Sequence, residues 1–233
     1  ISMSEEGAEW IDIGGESTRP GAIKVDTNEE ILRIVPVIEA IRDELPDIGI
    51  SVDTRKSLVA LEALRYGADM INDISSIGDP KMIDAIVEYD CPICIMHMSG
   101  NPKNMQNNPN YDDVVSEVRE KISETVSTLN DNGIENSRII ADPGIGFGKL
   151  LKHNISLLSA GRKILPSEDI GLMWGVSRKS MFSDLLGRKS TEDRLAGSLG
   201  IASRAPGLGV DIIRVHDVAE HTDLFTTIDS LGR

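Results

Sequence analysis

RIIADPGIGFGK, residues 138–149, holds the reading that decides the fold. A β-branched run ends in an aspartate, and three glycines with a lysine follow it. The glycines suggest a phosphate cradle, and counting tests the idea. A Walker loop needs a glycine, four residues, then Gly-Lys-Ser/Thr. Gly148 and Lys149 supply the Gly-Lys, but Pro143 stands at the first glycine's place and Leu150 at the hydroxyl's. A dinucleotide fingerprint starts at Gly144 and Gly146 and fails at Lys149. The glycines therefore serve a sharp turn where a side chain would clash. The chemistry lies ahead of the turn, in Asp142.

The same pattern of apolar run and polar end recurs along the chain. Runs at 9–14, 48–53, 69–74, 91–97, 138–142, 172–177 and 211–216 alternate with helical patterns near 28–44, 56–66, 80–89, 112–132, 153–165, 190–205 and 217–231. Asn28, Thr54 or Ser57, and Asp112 are expected helix caps. Gly67 and Gly133 stand where helices end, and Pro206 is expected to stop its helix early. Seven strand–helix units in series predict a parallel sheet covered by helices. The opening ISMSEEGAEW reads as the end of a helix that should follow an earlier strand. An eight-fold β/α barrel, the (β/α)8 TIM barrel, with its first β-strand missing is the expectation. An open doubly wound sheet is the alternative, and it would more often carry a glycine-rich fingerprint after its first strand.

Composition narrows the function. The 233 residues, 40% hydrophobic, suffice for one sizeable core. No apolar run approaches the roughly 18 residues of a membrane span, so a soluble, cytoplasmic protein is expected. The formal charge of −14 lacks the basic footprint of a nucleic-acid binder. Cys91 and Cys94 form a lone CPIC with no second pair, which reads as structural and fits a reducing compartment.

The predicted strands finish in Asp12 and Glu16, Asp53, Asn72 and Asp73, His97, Asp142, Ser177, and Arg214 with His216. In a β/α barrel that end is the mouth, where active sites form. Asp53, Asn72 and Asp142 offer acceptors, and buried carboxylates need donors. Arg19, Arg178, Lys179 and Arg214 add cations suited to an anion. The combination calls for a ligand with an aromatic, donor-rich head and an anionic tail. His97 reads as a satisfied histidine, His153 and His221 as helix-surface residues, and Trp10 and Trp174 as packing. Lys149 is left between solvent and site.

ESTRPG (16–21), SVDT (51–54), NDI (72–74), MHM–GNP (96–102), DPGIGFGK (142–149), SRKS (177–180), RLAGS (194–198) and RVHD (214–217) occur in this order. With these motifs the chain resembles the dihydropteroate synthase family over essentially its whole length. The resemblance implies one pterin-binding TIM-barrel domain over residues 1–233. It implies a transferase of folate biosynthesis that joins hydroxymethyl-dihydropterin pyrophosphate to para-aminobenzoate and releases pyrophosphate, with Mg²⁺ as cofactor and a homodimer as the assembly.

The resemblance also implies roles. Asp53, Asn72 and Asp142 would read the pterin edges, and Lys179 its carbonyl oxygen and N5. Ile74, Met96, Phe147 and Gly175 would form the ring's slot. Arg214 would lie on the ring face and, with His216, hold the pyrophosphate; Lys179, Arg214, His216 and Asp53 are the catalytic set. Thr18, Arg19, Pro20, Phe147 and Ser180 would meet para-aminobenzoate. The family's metal-binding asparagine would precede Ile1, so no metal ligand is assigned, and the 233-residue chain alone is expected to be weakly active. A pterin-binding methyltransferase acting on methyl-tetrahydrofolate, or a non-catalytic pterin-binding module, are the alternatives.

Overall fold

The computed structural model describes residues 1–17, 22–100 and 109–232. Its elements follow one another as α1 (Ser2–Glu5), β1 (Trp10–Gly14), α2 (Thr27–Glu44), β2 (Gly49–Asp53), α3 (Ser57–Arg65), β3 (Met70–Asp73) and α4 (Met82–Tyr89). They continue as β4 (Ile93–Met96), α5 (Val114–Asp131), β5 (Ile139–Asp142), α6 (Leu151–Ala160), β6 (Gly171–Trp174), α7 (Met181–Leu186), α8 (Leu195–Ala202), β7 (Ile212–Ile213) and α9 (Val218–Ser230). Seven strands among the described residues form one parallel sheet in sequence order, from β1 to β7.

Register fixes what faces inward. Asp12 pairs with Ser51, Ser51 with Met70, Asp53 with Asn72, Asn72 with Cys94, and Met96 with Asp142. Side chains alternate across a strand, so Asp12, Ser51, Asp53, Met70, Asn72, Cys94, Met96 and Asp142 share the inner face. The opposite face is apolar and lies under the helices, where Ile13, Val52, Ile71, Ile93, Ile95 and Ala141 join a single core with Ile34, Ile38, Val59, Ile86 and Ile122. The expected β/α alternation is thus present. The sheet curves far enough for Arg214, one residue past β7, to bond Asp12 of β1 at 2.6 Å. Between these two strands lies a cleft of about 970 Å³, walled by Trp10, Asp12, Ile212 and Arg214 and floored partly by Met70 and Met173.

Several boundaries differ from the sequence reading. The caps are Asp26, which accepts from the Asn28 N–H, and Asp113, which accepts from Val115 and Ser116; Asn28 and Asp112 are not caps. Neither Thr54 nor Ser57 caps α3: Asp79 Oδ2 accepts from the Ser57 N–H instead, across the β3–α4 connection. Gly67 and Gly133 do end their helices with positive φ. The expected helix at 190–205 is broken into the 3₁₀ turn Glu192–Arg194 and α8, and α8 stops at Ala202, ahead of Pro206, which opens the further 3₁₀ turn Pro206–Leu208. Ahead of this region stands α7, whose six residues are too few for a helical period to show in the sequence.

Both cysteines are free and buried, in line with the structural reading. His153 and His221 are buried, contrary to expectation. His153 Nδ1 accepts from the Leu150 N–H at 3.2 Å, and its ring meets Tyr111 edge-on. His221 Nδ1 lies 2.6 Å from the Asp217 carbonyl. In each case the imidazole bonds the backbone at the start of its own helix.

Candidate active site

The inner-face residues converge at the C-terminal ends of the strands. Asp53 ends β2, Asn72 lies one residue before the end of β3, and Asp142 ends β5. Asn72 donates through Nδ2 to Asp12 Oδ2 at 3.4 Å, and Arg214 Nη2 stands 3.8 Å from Asp53 Oδ2. Two atoms in this group have no partner: Asp53 Oδ1 and Asn72 Oδ1 are buried without a hydrogen bond. Such orphans are rare in folded proteins, because each costs about 1–3 kcal/mol. Both are acceptors, so they ask for a ligand that donates.

Electrostatics agree. Burial, with the nearby Asp12 charge adding to it, pushes the Asp53 carboxyl up to about 7. Burial likewise raises Asp142, against the pull of Lys179. Burial pushes Lys179 down to about 8, and Asp142 limits the fall. Perturbed groups of opposite sign around one notch mark a functional site.

The turn after β5 shapes the notch. Asp142 Oδ1 accepts from the Gly144 N–H at 2.7 Å. Gly144 has φ +69°, and a Cβ there would strike the His97 carbonyl. Only glycine fits, which is what the turn's composition is for. Across the notch, a Cβ on Gly175 would stand 3.4 Å from Asp142 Oδ2, so Gly175 leaves that oxygen open. Phe147 presents its ring to Lys179 Nζ, 4.2 Å from the centroid. Ile74 and Met96 are buried beside Asn72 and Asp142.

Lys179 reaches the notch through a bend. Arg178 adopts φ +55°, a left-handed conformation that costs a non-glycine residue about 1–2 kcal/mol. Ser198 Oγ, which accepts from the Arg178 N–H, and Arg194, which donates to the Arg178 carbonyl, hold it there. Its guanidinium pairs with Asp217. Arg178, read from sequence as a mouth cation, is therefore committed to structure.

Residues 1–216 match the family described as pterin binding enzyme. The dihydropteroate synthase of Escherichia coli K12 is 44% identical over 228 residues, covering 98% of this chain and 80% of its own. The chain belongs to the dihydropteroate synthase family.

Solved structures agree with that membership. A Yersinia pestis dihydropteroate synthase in a sulfonamide drug complex superposes with a TM-score of 0.93 at 40% identity, covering 99% of this chain and 82% of its own. A Burkholderia cenocepacia dihydropteroate synthase complexed with 7,8-dihydropteroate gives 0.92 at 40% identity, covering 99% and 84%. Of the positions singled out by the resemblance to dihydropteroate synthases, Asp53, Asn72, Ile74, Met96, Asp142, Phe147, Gly175, Lys179 and Arg214 lie at this one mouth. His216 stands beside them, its Nδ1 3.0 Å from Ser177 Oγ. Ser180 is exposed at the start of α7. Thr18, Arg19 and Pro20 lie outside the described residues.

Two features of this site escaped the sequence reading. Asp12 had been noted only as a strand end. It joins Ser51, Asn72 and Arg214 in one network, with Ser51 Oγ donating at 2.6 Å. Its parity with Gly14, the partner of Asp53, was the available signal. Lys149, left undecided, is buried and does not face solvent.

Proposed function

We propose that this chain condenses hydroxymethyl-dihydropterin pyrophosphate with para-aminobenzoate, giving dihydropteroate and pyrophosphate, and that the strand-end notch carries the reaction. The reading rests on one observation above all: the buried, unpartnered oxygens of Asp53 and Asn72 beside Asp142, in a member of this family. A pterin edge with ring N–H and amino donors satisfies such acceptors. Asp142 Oδ2 accepts from that edge while Gly144 holds Oδ1. Ile74, Met96, Phe147 and Gly175 shape the slot, and Lys179 donates to the ring's carbonyl oxygen and N5.

Arg214 and His216 face the pyrophosphate. As the methylene C–O bond breaks, they stabilise the charge on the departing oxygens. The aminobenzoate nitrogen then forms the C–N bond from a bound position and sheds one proton. Thr18, Arg19, Pro20 and Ser180 are assigned to the aminobenzoate end. Mg²⁺ is proposed to accompany the pyrophosphate, whose oxygens and waters supply most of such an ion's shell. No cluster of three or more metal-ligating side chains occurs among the described residues.

The finer architecture belongs to the same reading: one domain over residues 1–233, as an eight-fold barrel closed by a further strand between β7 and β1. The cleft lined by both strand edges supports it, because an unpaired edge invites a partner. A homodimer and a cytoplasmic setting belong to it too. Two free, buried thiols accord with a reducing compartment, and no helix among the described residues is long and apolar enough to cross a membrane. A steady-state assay following dihydropteroate formation together with pyrophosphate release tests the function. Product with stoichiometric pyrophosphate is expected, at a low rate for the 233-residue chain, and pterin binding without turnover, even once the further strand is supplied, would overturn the assignment.

A further inference from the structure

The turn after β5 is held from beneath by a group that the proposed reaction does not use. Lys149 Nζ donates to the Gly144 carbonyl at 3.0 Å, the Phe147 carbonyl at 3.0 Å and the His97 carbonyl at 3.2 Å. It also lies 3.0 Å from His97 Nδ1. Burial, then the Lys149 charge, pushes the His97 imidazole down to about 3, so the ring is neutral and Nδ1 accepts. Two of the four acceptors belong to the turn and two to the residue just past β4. Burial pushes the Lys149 amine down to about 7, against the pull of Asp142, and one compact donor head ties the four acceptors together. Tyr111 adds a weaker clip, donating to the Gly148 carbonyl at 3.0 Å.

The two clamped turn residues are those that form the notch. Gly144, held by its carbonyl, gives its N–H to Asp142 Oδ1. Phe147, held by its carbonyl, carries the ring against Lys179. We infer that Lys149 is a positioning residue that sets the spacing between the Asp142 carboxylate and the Phe147 ring, and with it the fit of a flat bicyclic head. It touches no substrate. The inference rests on the pterin reading of the notch.

Calorimetric titration of the full chain with 6-hydroxymethylpterin, and separately with inorganic pyrophosphate, tests it. Lys149→Met keeps the side chain's length and removes its donors. It is expected to weaken pterin binding about tenfold and pyrophosphate binding less than about twofold. Unchanged pterin affinity, or equal losses for both probes, overturns the inference. Should that variant not fold, His97→Ala decides. It removes one of the four acceptors and is expected to weaken the pterin about threefold and leave pyrophosphate unchanged; no effect on the pterin overturns the inference. A wild-type chain that binds no pterin overturns the reading of the notch itself. Binding by the wild type with no response in either variant overturns only the role of Lys149.

Discussion

Two groups of buried charges lie at the same end of the sheet and are built to opposite rules. In the first, Glu16 accepts from the Val25 N–H and from Lys56, each at 2.9 Å, and pairs with Arg55. Lys56 also bonds Glu30 and the Val25 carbonyl, and Glu30 accepts from Thr54 Oγ1 at 2.7 Å. These charges meet opposite charges at close range, and the cluster staples residues 16 and 25 to the start of α3. In the second group, Asp53 and Asn72 keep oxygens with no partner, and Asp53 titrates far above a usual aspartate. A saturated cluster holds the fold together. An under-satisfied one stores the free energy that a ligand releases.

Substitutions can break this contrast. The largest effect is expected at Asp142→Asn, which replaces a carboxyl oxygen by an amide nitrogen that presents hydrogens to a donor. Pterin affinity should fall about 100-fold or more by calorimetry, while the urea midpoint stays close to that of the wild type. Lys56→Met should do the reverse. Glu30 is 1% exposed, and stranding it should cost about 3 kcal/mol in urea denaturation, with pterin affinity nearly unchanged. If the stability effects of these two variants were exchanged, the distinction between the groups would fail.

A pH series sharpens the comparison. The folded chain protonates Asp53 near 7, whereas the unfolded chain does so at the ordinary 3.8. Between those values the folded state binds more protons, so this group's contribution to stability is lost as pH rises towards 7. Asp53→Asn removes that loss. Relative to the wild type, the variant should gain roughly 4 kcal/mol more at pH 8 than at pH 4, read from denaturation curves at the two values. The smallest effect is expected at Ser177→Ala. His216 then loses the hydroxyl 3.0 Å from Nδ1, and pyrophosphate affinity should drop about threefold with the pterin unaffected.

Much of this site was legible from residues alone. The strand-end positions of Asp53, Asn72 and Asp142 follow from period-two apolar runs closed by a polar residue, and the failed glycine fingerprints pointed to Asp142. What stayed hidden required a partner distant in sequence. Arg178 looked as free as Lys179 until Asp217, 39 residues on, claimed it. Lys149 stayed undecided between solvent and site because its acceptors are mostly backbone carbonyls, which no side-chain pattern announces. His153 and His221 were misplaced for a related reason, since their ring nitrogens bond the backbone of their own helices' first turns.

By itself the sequence determined the alternation of strand and helix, the parallel sheet, and which residues stand at the strand ends, because periodicity and turn chemistry are local. Only the tertiary structure decided which of those end residues are paired and which are left wanting. Pairing depends on distances across strands and turns, as between Asp12 and Arg214, 202 residues apart in the chain and 2.6 Å apart in space.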